Sequence, residues 1–437
     1  MTEGSRTGIL KRQSPGRIIA AGFVVLIFLG SLLLMLPCSV REGVEVRYLD
    51  MLYTSTSAVC VTGLAVVDFG STFTAVGKVI LALLVQVGGL GVTAVGAGII
   101  IAIGKRVDLK TRDMVRESMN MGTRKGVVLF VRDIFFTTVL FEISGAVLSF
   151  FVFIKKYPIP EAVGYSLFHA IAAFNNSGMD IFGSGENLMS YRDDVLLNVV
   201  TCGMTALGGI GFLVIREVWS KRFRWKKFSM HTKVVLSVSF SLMISGTLLL
   251  KMTEKISWLG AFFYSVSART AGFSTYPLRE FSNGGVIVLL VLMFIGASPG
   301  STGGGIKTST LFVLIQGVRK AATNKAEKGF HYAIPENAFR KASVVTMLSA
   351  AVIIGGTFGM AVLEPDMELK DLLFEITSAF ATVGLSVGIT PELCDGSKIL
   401  SICIMYIGRL GPLTVASLWH YTKGERIRYP EGNISIG

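Results

Sequence analysis

Four times along this chain an apolar run of helical length gives way to a polar stretch built around one glycine, in CVTGLA, NNSGMD, RTAGFS and TVGLSV. Aligning Gly63, Gly178, Gly272 and Gly384 brings Tyr53, Phe168, Phe262 and Phe374 into register, together with the small residues Ala58, Ala173, Ser267 and Ala379. Successive glycines lie 115, 94 and 112 residues apart. Self-similarity on this scale points to a fold assembled from repeated units, and here one chain supplies all four.

Composition narrows the setting in which those units fold. With 51% hydrophobic residues, a mean hydropathy of +0.62 and 16% charged residues, against about 25% in soluble domains, the 437 residues carry too little polar surface to coat a large globule. An integral membrane protein is the class that remains. The net charge of +13 does not point to nucleic acid, which needs a basic face interleaved with aromatics on a soluble fold. Instead, 27 of the 42 Lys and Arg residues fall in 1–17, 104–126, 216–233, 319–341 and 422–437, between the apolar stretches. The positive-inside rule places these segments and both termini in the cytoplasm, and the chain as a multi-pass protein of a cell membrane, in contact with membrane lipid. Five cysteines without CxxC spacing give neither a disulfide framework nor a zinc site. The first apolar stretch lacks a cleavage signature and reads as a retained helix.

Apolar stretches of about 20 residues, enough to cross a hydrocarbon core of about 30 Å, occur near 17–38, 77–103, 127–154, 194–219, 231–251, 284–320, 341–363 and 397–421. They predict eight spanning helices. Shorter apolar runs at 49–60, 164–175, 258–269 and 370–381 suit re-entrant half-helices, and each leads to one of the four glycines. The expected fold is all-α: four pseudosymmetric helix–pore loop–helix units around a central pore, at 17–103, 127–219, 231–320 and 341–421, followed by a cytoplasmic tail at 422–437. A half-membrane loop is tolerated only inside protein or beside a water-filled cavity, so the loops imply an aqueous path. Each half-helix would aim its negative C-terminal end at the middle of that path, which favours cations.

Ion-selective filters replace a hydration shell with rings of backbone carbonyls. The candidate contributors are Val61, Thr62 and Gly63; Asn176, Ser177 and Gly178; Thr270, Ala271 and Gly272; and Thr382, Val383 and Gly384. Thr382-Val383-Gly384 matches the first three residues of the potassium-channel loop TVGYG, while the other stretches depart further. Glycine turns a carbonyl toward an axis at φ > 0 without the strain a Cβ brings. Close helix packing explains any single glycine equally well, but four in register after four half-helices favour the ring. Three positions before each glycine stand Cys60, Asn175, Arg269 and Ala381, so the ring is chemically unequal. Arg269 is expected to point away from the cation path and support the filter from behind. Asp68, Asp180, Asp193 and Asp194 fall on the outer side, either concentrating cations at the mouth or as ordinary solvated loop.

The sixth apolar stretch is interrupted by GASPGSTGGGIK, residues 296–307. Five glycines and a proline remove conformational bias and a backbone donor, so a flexible loop is expected at bilayer depth just below the filter, where it would act as a gate over 296–308. The gate candidates are Gly296, Ser298, Pro299, Gly300, Gly303, Gly304, Gly305 and Lys307, with Arg409 from the last stretch. A phosphate-binding loop is excluded because Ile306 stands where the motif needs glycine. Arg409 falls mid-span, where a charge costs about 2.5–3.5 kcal/mol on insertion scales. It forms a barrier beneath the filter, anchors the glycine loop through carbonyls, or pairs with the similarly buried Glu142. Lys307 can snorkel to water. His169, His231, His331 and His420 show no ligand spacing.

Taken together, the four filter stretches, the GASPGSTGGGIKT break and the MYIGRLGPLT segment resemble the superfamily of K⁺ transporters called Trk/Ktr/HKT. Eight spans without extra N-terminal helices are most similar to the membrane subunits of bacterial Ktr systems, and the likeness covers nearly the whole chain. The resemblance implies K⁺ uptake across the bacterial plasma membrane, commonly Na⁺-dependent, with K⁺ held at the filter only and no cofactor in this chain. It also implies a homodimer with one pore per protomer and a cytoplasmic KtrA-like regulatory ring that binds the nucleotide. Residue by residue, it gives the filter role to Gly63, Gly178, Gly272 and Gly384, the gate role to 296–307 and the barrier role to Arg409. No filter glycine is replaced by serine, as occurs in Na⁺-conducting plant relatives, which favours K⁺. The tail YPEGNISIG resembles the family's ending near the subunit interface.

The alternative transport reading is a secondary active cation transporter working by alternating access. Its inverted repeats would put equivalent glycines on opposite sides of the membrane, whereas these units all share one orientation. An enzyme would need a nucleophile–base or metal constellation at depth, and no such constellation is apparent in the sequence.

Overall fold

The computed structural model describes residues 15–119, 121, 125–183, 185–324 and 328–417. The expected tail at 422–437 and His420 lie outside the described residues. Each repeat folds as a long outer helix, a short half-helix and an inner helix that breaks. The outer helices are Pro15–Leu34, Val127–Phe153, Met230–Thr253 and Asn337–Leu363. These four are long and apolar enough to cross a membrane, and a third or less of the most apolar window of each is buried. Their remaining faces carry exposed Leu29, Phe136, Phe240 and Phe358, which is tolerable only against lipid.

The half-helices are Tyr48–Val59, Ile159–Phe174, Trp258–Ser267 and Leu369–Ala381. They occupy the interior: Tyr53, Phe168 and Phe374 are buried as the repeat register requires. In the third unit the half-helix is the shortest, and Phe263 and Tyr264 take the buried places while Phe262 only borders the core.

The inner helices begin with a capping side chain at the same stage of every unit. Thr74, Asp194, Ser282 and Cys394 accept from the amides of Gly77, Leu197, Gly285 and Ser397. Asp194 therefore caps the start of a helix rather than facing an ion path. All four inner helices then break, where the sequence pattern singled out only the third. Ala75–Leu90 turns by 100° into Val92–Ala102, and Val195–Ile210 by 96° into Phe212–Ser220. Asp395–Leu410 likewise gives way to Pro412–Ser417, and Asn283–Phe294 resumes only at Thr308–Thr323. If each bent pair is one span, six spans meet the length and hydropathy criteria among the described residues. A two-stranded hairpin, Lys328–Gly329 with Tyr332–Ala333, lies in the link to the fourth unit.

Glycine explains the breaks. Gly91, Gly211 and Gly411 sit at the corners with φ of +86°, +91° and +87°. Three residues earlier, Gly88, Gly208 and Gly408 touch the half-helix of their own unit. A Cβ there would lie 2.1, 1.9 and 1.8 Å from the carbonyl oxygens of Val59, Phe174 and Phe380. Consecutive units are joined by chain, whereas the fourth meets the first without a covalent link, with polar side chains among the contacts. Lys398 Nζ lies 2.8 Å from Asp50 Oδ1, Arg47 bonds Asp395, and Tyr53 Oη lies 3.1 Å from Ser401 Oγ.

Gly208→Ala is expected to lower stability by about 1–3 kcal/mol, as overpacking of a tight contact does. Gly203→Ala, on the same helix with nothing within 4 Å of a new Cβ, is the control and should leave stability unchanged. Thermal unfolding of the detergent-solubilised protein measures both, and equal transitions for the two variants would contradict the packing role.

Candidate functional site

The four glycines meet. Gly63, Gly178, Gly272 and Gly384 have φ of +95°, +64°, +79° and +90°. The missing Cβ of each is replaced by a carbonyl oxygen of the next unit, closing a cycle. A Cβ on Gly63 would lie 2.0 Å from Ser177 O, on Gly178 2.6 Å from Ala271 O, on Gly272 2.2 Å from Val383 O, and on Gly384 2.1 Å from Thr62 O. Two positions earlier, Val61, Asn176, Thr270 and Thr382 also have positive φ, +57°, +60°, +89° and +50°. Non-glycine residues seldom adopt that region, and its fourfold recurrence marks a backbone held under strain by its surroundings. All twelve predicted filter residues are thus gathered into one ring of loops.

The half-helices hold this strained backbone by its amides. Thr62 N donates to Ser57 O at 2.7 Å, Ser177 N to Ala172 O at 2.8 Å, and Val383 N to Ser378 O at 2.9 Å. Gly63 N and Gly384 N donate to Ser57 Oγ and Ser378 Oγ, both at 3.0 Å. In the third unit, Ala271 N and Gly272 N share Ser267 O. With the donors turned outward to the scaffold, no hydrogen bond among the described residues ends on the carbonyls of Thr62, Ser177, Ala271 or Val383. These oxygens are available to a cation, which takes oxygen ligands from flexible backbone.

Two of the unequal positions behind the ring, Arg269 and Asn175, hydrogen-bond to protein. Arg269 turns to its own outer helix, donating to Ser239 O and Oγ at 3.3 and 3.2 Å, as its expected role behind the filter requires. Asn175 Nδ2 donates to Gln86 Oε1 at 2.9 Å and Glu142 Oε1 at 3.0 Å. This rules out Glu142 as the partner of Arg409, since its carboxylate faces the second half-helix. Above the ring, a cavity of about 490 Å³ is lined by all four glycines with Asp68 and Asp180. Asp193 instead pairs with Arg192 at the exposed surface. Asn187, which sequence reasoning missed, stitches this rim: its Nδ2 donates to Gly178 O at 2.9 Å and Asp180 Oδ2 at 3.1 Å, and its Oδ1 accepts from Ser274 N at 3.2 Å. Only its place in a Gly-Glu-Asn turn hinted at it.

The glycine-rich break lies directly beneath. A Cβ on Gly303 would meet Thr270 Oγ1 at 2.2 Å, and on Gly304 Thr382 Oγ1 at 2.4 Å, so this loop abuts the inner end of the ring. It is not the slack loop its composition suggests. Ser298 N donates to Gly209 O at 3.0 Å, Thr302 N to Gly208 O at 3.3 Å, and Phe212 N to Gly300 O at 3.0 Å, which fastens it to the bend of the second inner helix. Ser298 Oγ and Thr308 Oγ1 are 3.0 Å apart across its base. Glycine is needed because the filter-loop threonines, Ala381 O and the loop's own backbone pass within contact distance, which composition alone does not separate from flexibility.

Arg409 anchors the loop. It donates to Thr302 O in the break, and to Gly88 O and Gly89 O in the first inner helix, the last at 3.2 Å. Aligned by the bends, Arg409 stands where Gly89 and Gly209 stand in the first two units. Lys307 does not snorkel: its Nζ lies 2.7 Å from Gly303 O and 3.3 Å from Gly304 O. Both cations, with Gly91, Gly303 and Gly305, line a cavity of about 230 Å³ below the loop.

Comparison with known proteins follows the same lines. The family model described as TrkH, cation transport protein, matches residues 10–421. The chain is 36% identical to the Ktr system potassium uptake protein B of Bacillus subtilis over 98% of this chain and 97% of that one. It is 33% identical to the potassium/sodium uptake protein NtpJ of Enterococcus hirae, over 98% of each. The crystal structure of the potassium transporter TrkH from Vibrio parahaemolyticus superposes with a TM-score of 0.74 at 18% identity, covering 94% of this chain and 86% of that one.

Arg409→Gln, which withdraws the donors that tie Thr302 to the first inner helix and removes a positive charge below the ring, is expected to raise initial cation flux several-fold. Radiolabelled rubidium uptake into proteoliposomes measures it. Unchanged or slower uptake by correctly folded variant would show that the arginine does not restrain passage.

Proposed function

Because the chain belongs to the TrkH family of cation transport proteins, we propose that it takes up K⁺ through the ring formed by residues 61–63, 176–178, 270–272 and 382–384. The observation that carries this reading is the closed cycle in which each filter glycine abuts the carbonyl of the next unit. Four main-chain oxygens directed at one axis, with their amides committed to the scaffold, substitute for the water around a dehydrated monovalent cation. The half-helices point the negative ends of their dipoles at the same place. Asp68 and Asp180 at the outer cavity raise the local cation concentration.

In this reading all eight apolar stretches cross the bacterial plasma membrane, in four units that share one orientation, with both termini cytoplasmic. The break at 296–308 is the gate, held shut under the ring by Arg409 and Lys307 and by its bonds to the second inner helix. Opening requires those bonds to exchange for water. The protein works as a homodimer, and a cytoplasmic nucleotide-binding ring that takes hold of the segments following the bends acts on the loop through them. Transport is activated by Na⁺, in keeping with the potassium and sodium named for the Enterococcus relative. Surrounding lipid contacts the outer helices.

Complementation of a K⁺-uptake-deficient bacterium on low-potassium medium, with and without a nucleotide-binding subunit, tests the activity. Growth is expected, and it should increase with the subunit. In the same strain Gly384→Ser, which forces a side chain to within 2.1 Å of Thr62 O unless the loops separate, is expected to lower the K⁺-over-Na⁺ preference of flux. An unchanged preference would remove the filter assignment.

A further inference from the structure

The position nine residues before the filter glycine is held by Thr54, His169, Phe263 and Glu375 in the four half-helices, and all four side chains are buried. Only the fourth is an acid. A carboxyl group with no exposed surface is expensive unless its oxygens are engaged, and among the described residues no Lys or Arg pairs with this one. Its Oε1 accepts from Thr390 Oγ1, while Oε2 has no hydrogen-bond partner.

The contact to Thr390 continues outward. Thr390 Oγ1 lies 3.0 Å from Ser386 Oγ, and Ser386 Oγ accepts from Gly388 N at 2.9 Å. A hydroxyl owns one proton. Thr390 Oγ1 faces both Glu375 Oε1 and Ser386 Oγ as a donor, so its single proton is shared between them, and Gly388 N donates to Ser386 Oγ. This chain of hydrogen bonds ends outward at a backbone amide, which can only donate, and inward at the Glu375 carboxyl group. It runs from the exposed turn above the ring to the buried half-helix beside it, and it begins two residues after Gly384.

We propose that Glu375 is a positioning residue for the fourth filter strand. Through Thr390 and Ser386 it pins the turn over 386–390, and thereby fixes Val383 and Gly384 at the height at which their carbonyls complete the ring. The second and third units pin the exit from their filter stretches differently. Asn187 holds Gly178 O in the second, and Ser267 Oγ donates to Phe273 O at 2.5 Å in the third. The fourth strand instead relies on one acceptor at the end of a relay, so ion preference is sensitive to that single carboxyl group. This inference rests on residues 382–384 serving as part of a cation filter.

The test is K⁺ and Na⁺ uptake by the full-length protein in proteoliposomes, with KM, maximal rate and K⁺-over-Na⁺ preference measured separately. Thr390→Val and Glu375→Leu are expected to reduce the preference about tenfold, the factor that one lost hydrogen bond supplies. They should raise KM for K⁺ more than they alter the maximal rate, and the double variant should be no worse than either alone, because both cut one chain. Thr390→Ser and Glu375→Gln, which keep the hydroxyl and the acceptor oxygen, should stay within about twofold of the parent, below what one net hydrogen bond carries. Wild-type preference in folded Thr390→Val overturns the proposal, as does a Glu375→Gln variant as impaired as Glu375→Leu. If Glu375→Leu does not fold, Thr390→Val with Thr390→Ser decides. Gly384→Ser in the same assay separates the two levels: if it shifts preference while Thr390→Val does not, the relay fails and the filter stands.

Discussion

Everything in this molecule is arranged around main-chain oxygens that have been denied their usual donors. A buried carbonyl without a partner is costly, and here at least four are brought together, one per unit, each seated against the glycine of its neighbour. The cost is tolerable because the corresponding amides are fastened to the half-helices behind and because a cation is what the vacant lone pairs suit. Positive φ at Val61, Asn176, Thr270 and Thr382 is the visible strain of holding that geometry. A scaffold able to impose it must be rigid. The buried half-helices, the capped inner helices and the glycine contacts at Gly88, Gly208 and Gly408 supply that rigidity.

The same glycines that let backbones touch also determine where the inner helices turn. A left-handed corner in each of three units, and a longer interruption in the third, place a break at one depth all round the axis. The interruption reaches inward far enough for Gly303 and Gly304 to press on Thr270 and Thr382. Its attachments come from two other units, through the second inner helix and through Arg409, so the segment under the ring is tied to both.

Much of this was legible in the residues. The four half-helices begin and end within a few residues of the apolar runs that announced them, because a buried segment flanked by polar turns has a length that hydropathy reads directly. The convergence of the four glycine loops was legible for a different reason: left-handed backbone at a repeated position demands glycine, and the demand recurs four times. The bends at Gly91, Gly211 and Gly411 were not. Their flanks stay apolar through the corner, so the hydropathy of Ala75–Ala102 does not distinguish a straight helix from a sharply bent one. Nor was the partner of Arg409. A mid-span arginine announces that partners exist, but carbonyls carry no sequence signal, and the nearest acid along the pattern, Glu142, turned out to serve Asn175. The loop over 296–307 read as slack for the same reason: glycine content reports permission to bend and to approach, and the bonds that fasten it belong to backbone elsewhere.

A ring closed by one polypeptide differs from a ring of identical subunits in what a single substitution can do. In a homotetramer every side chain appears four times, so a guanidinium under the axis would crowd three copies of itself, and a loop long enough to reach the centre would collide with its own images. Here each quadrant carries its own residue. One arginine, one central loop and one buried acid can each be altered without repeating the change elsewhere, and the quadrants are free to diverge while the central main chain keeps its fourfold order.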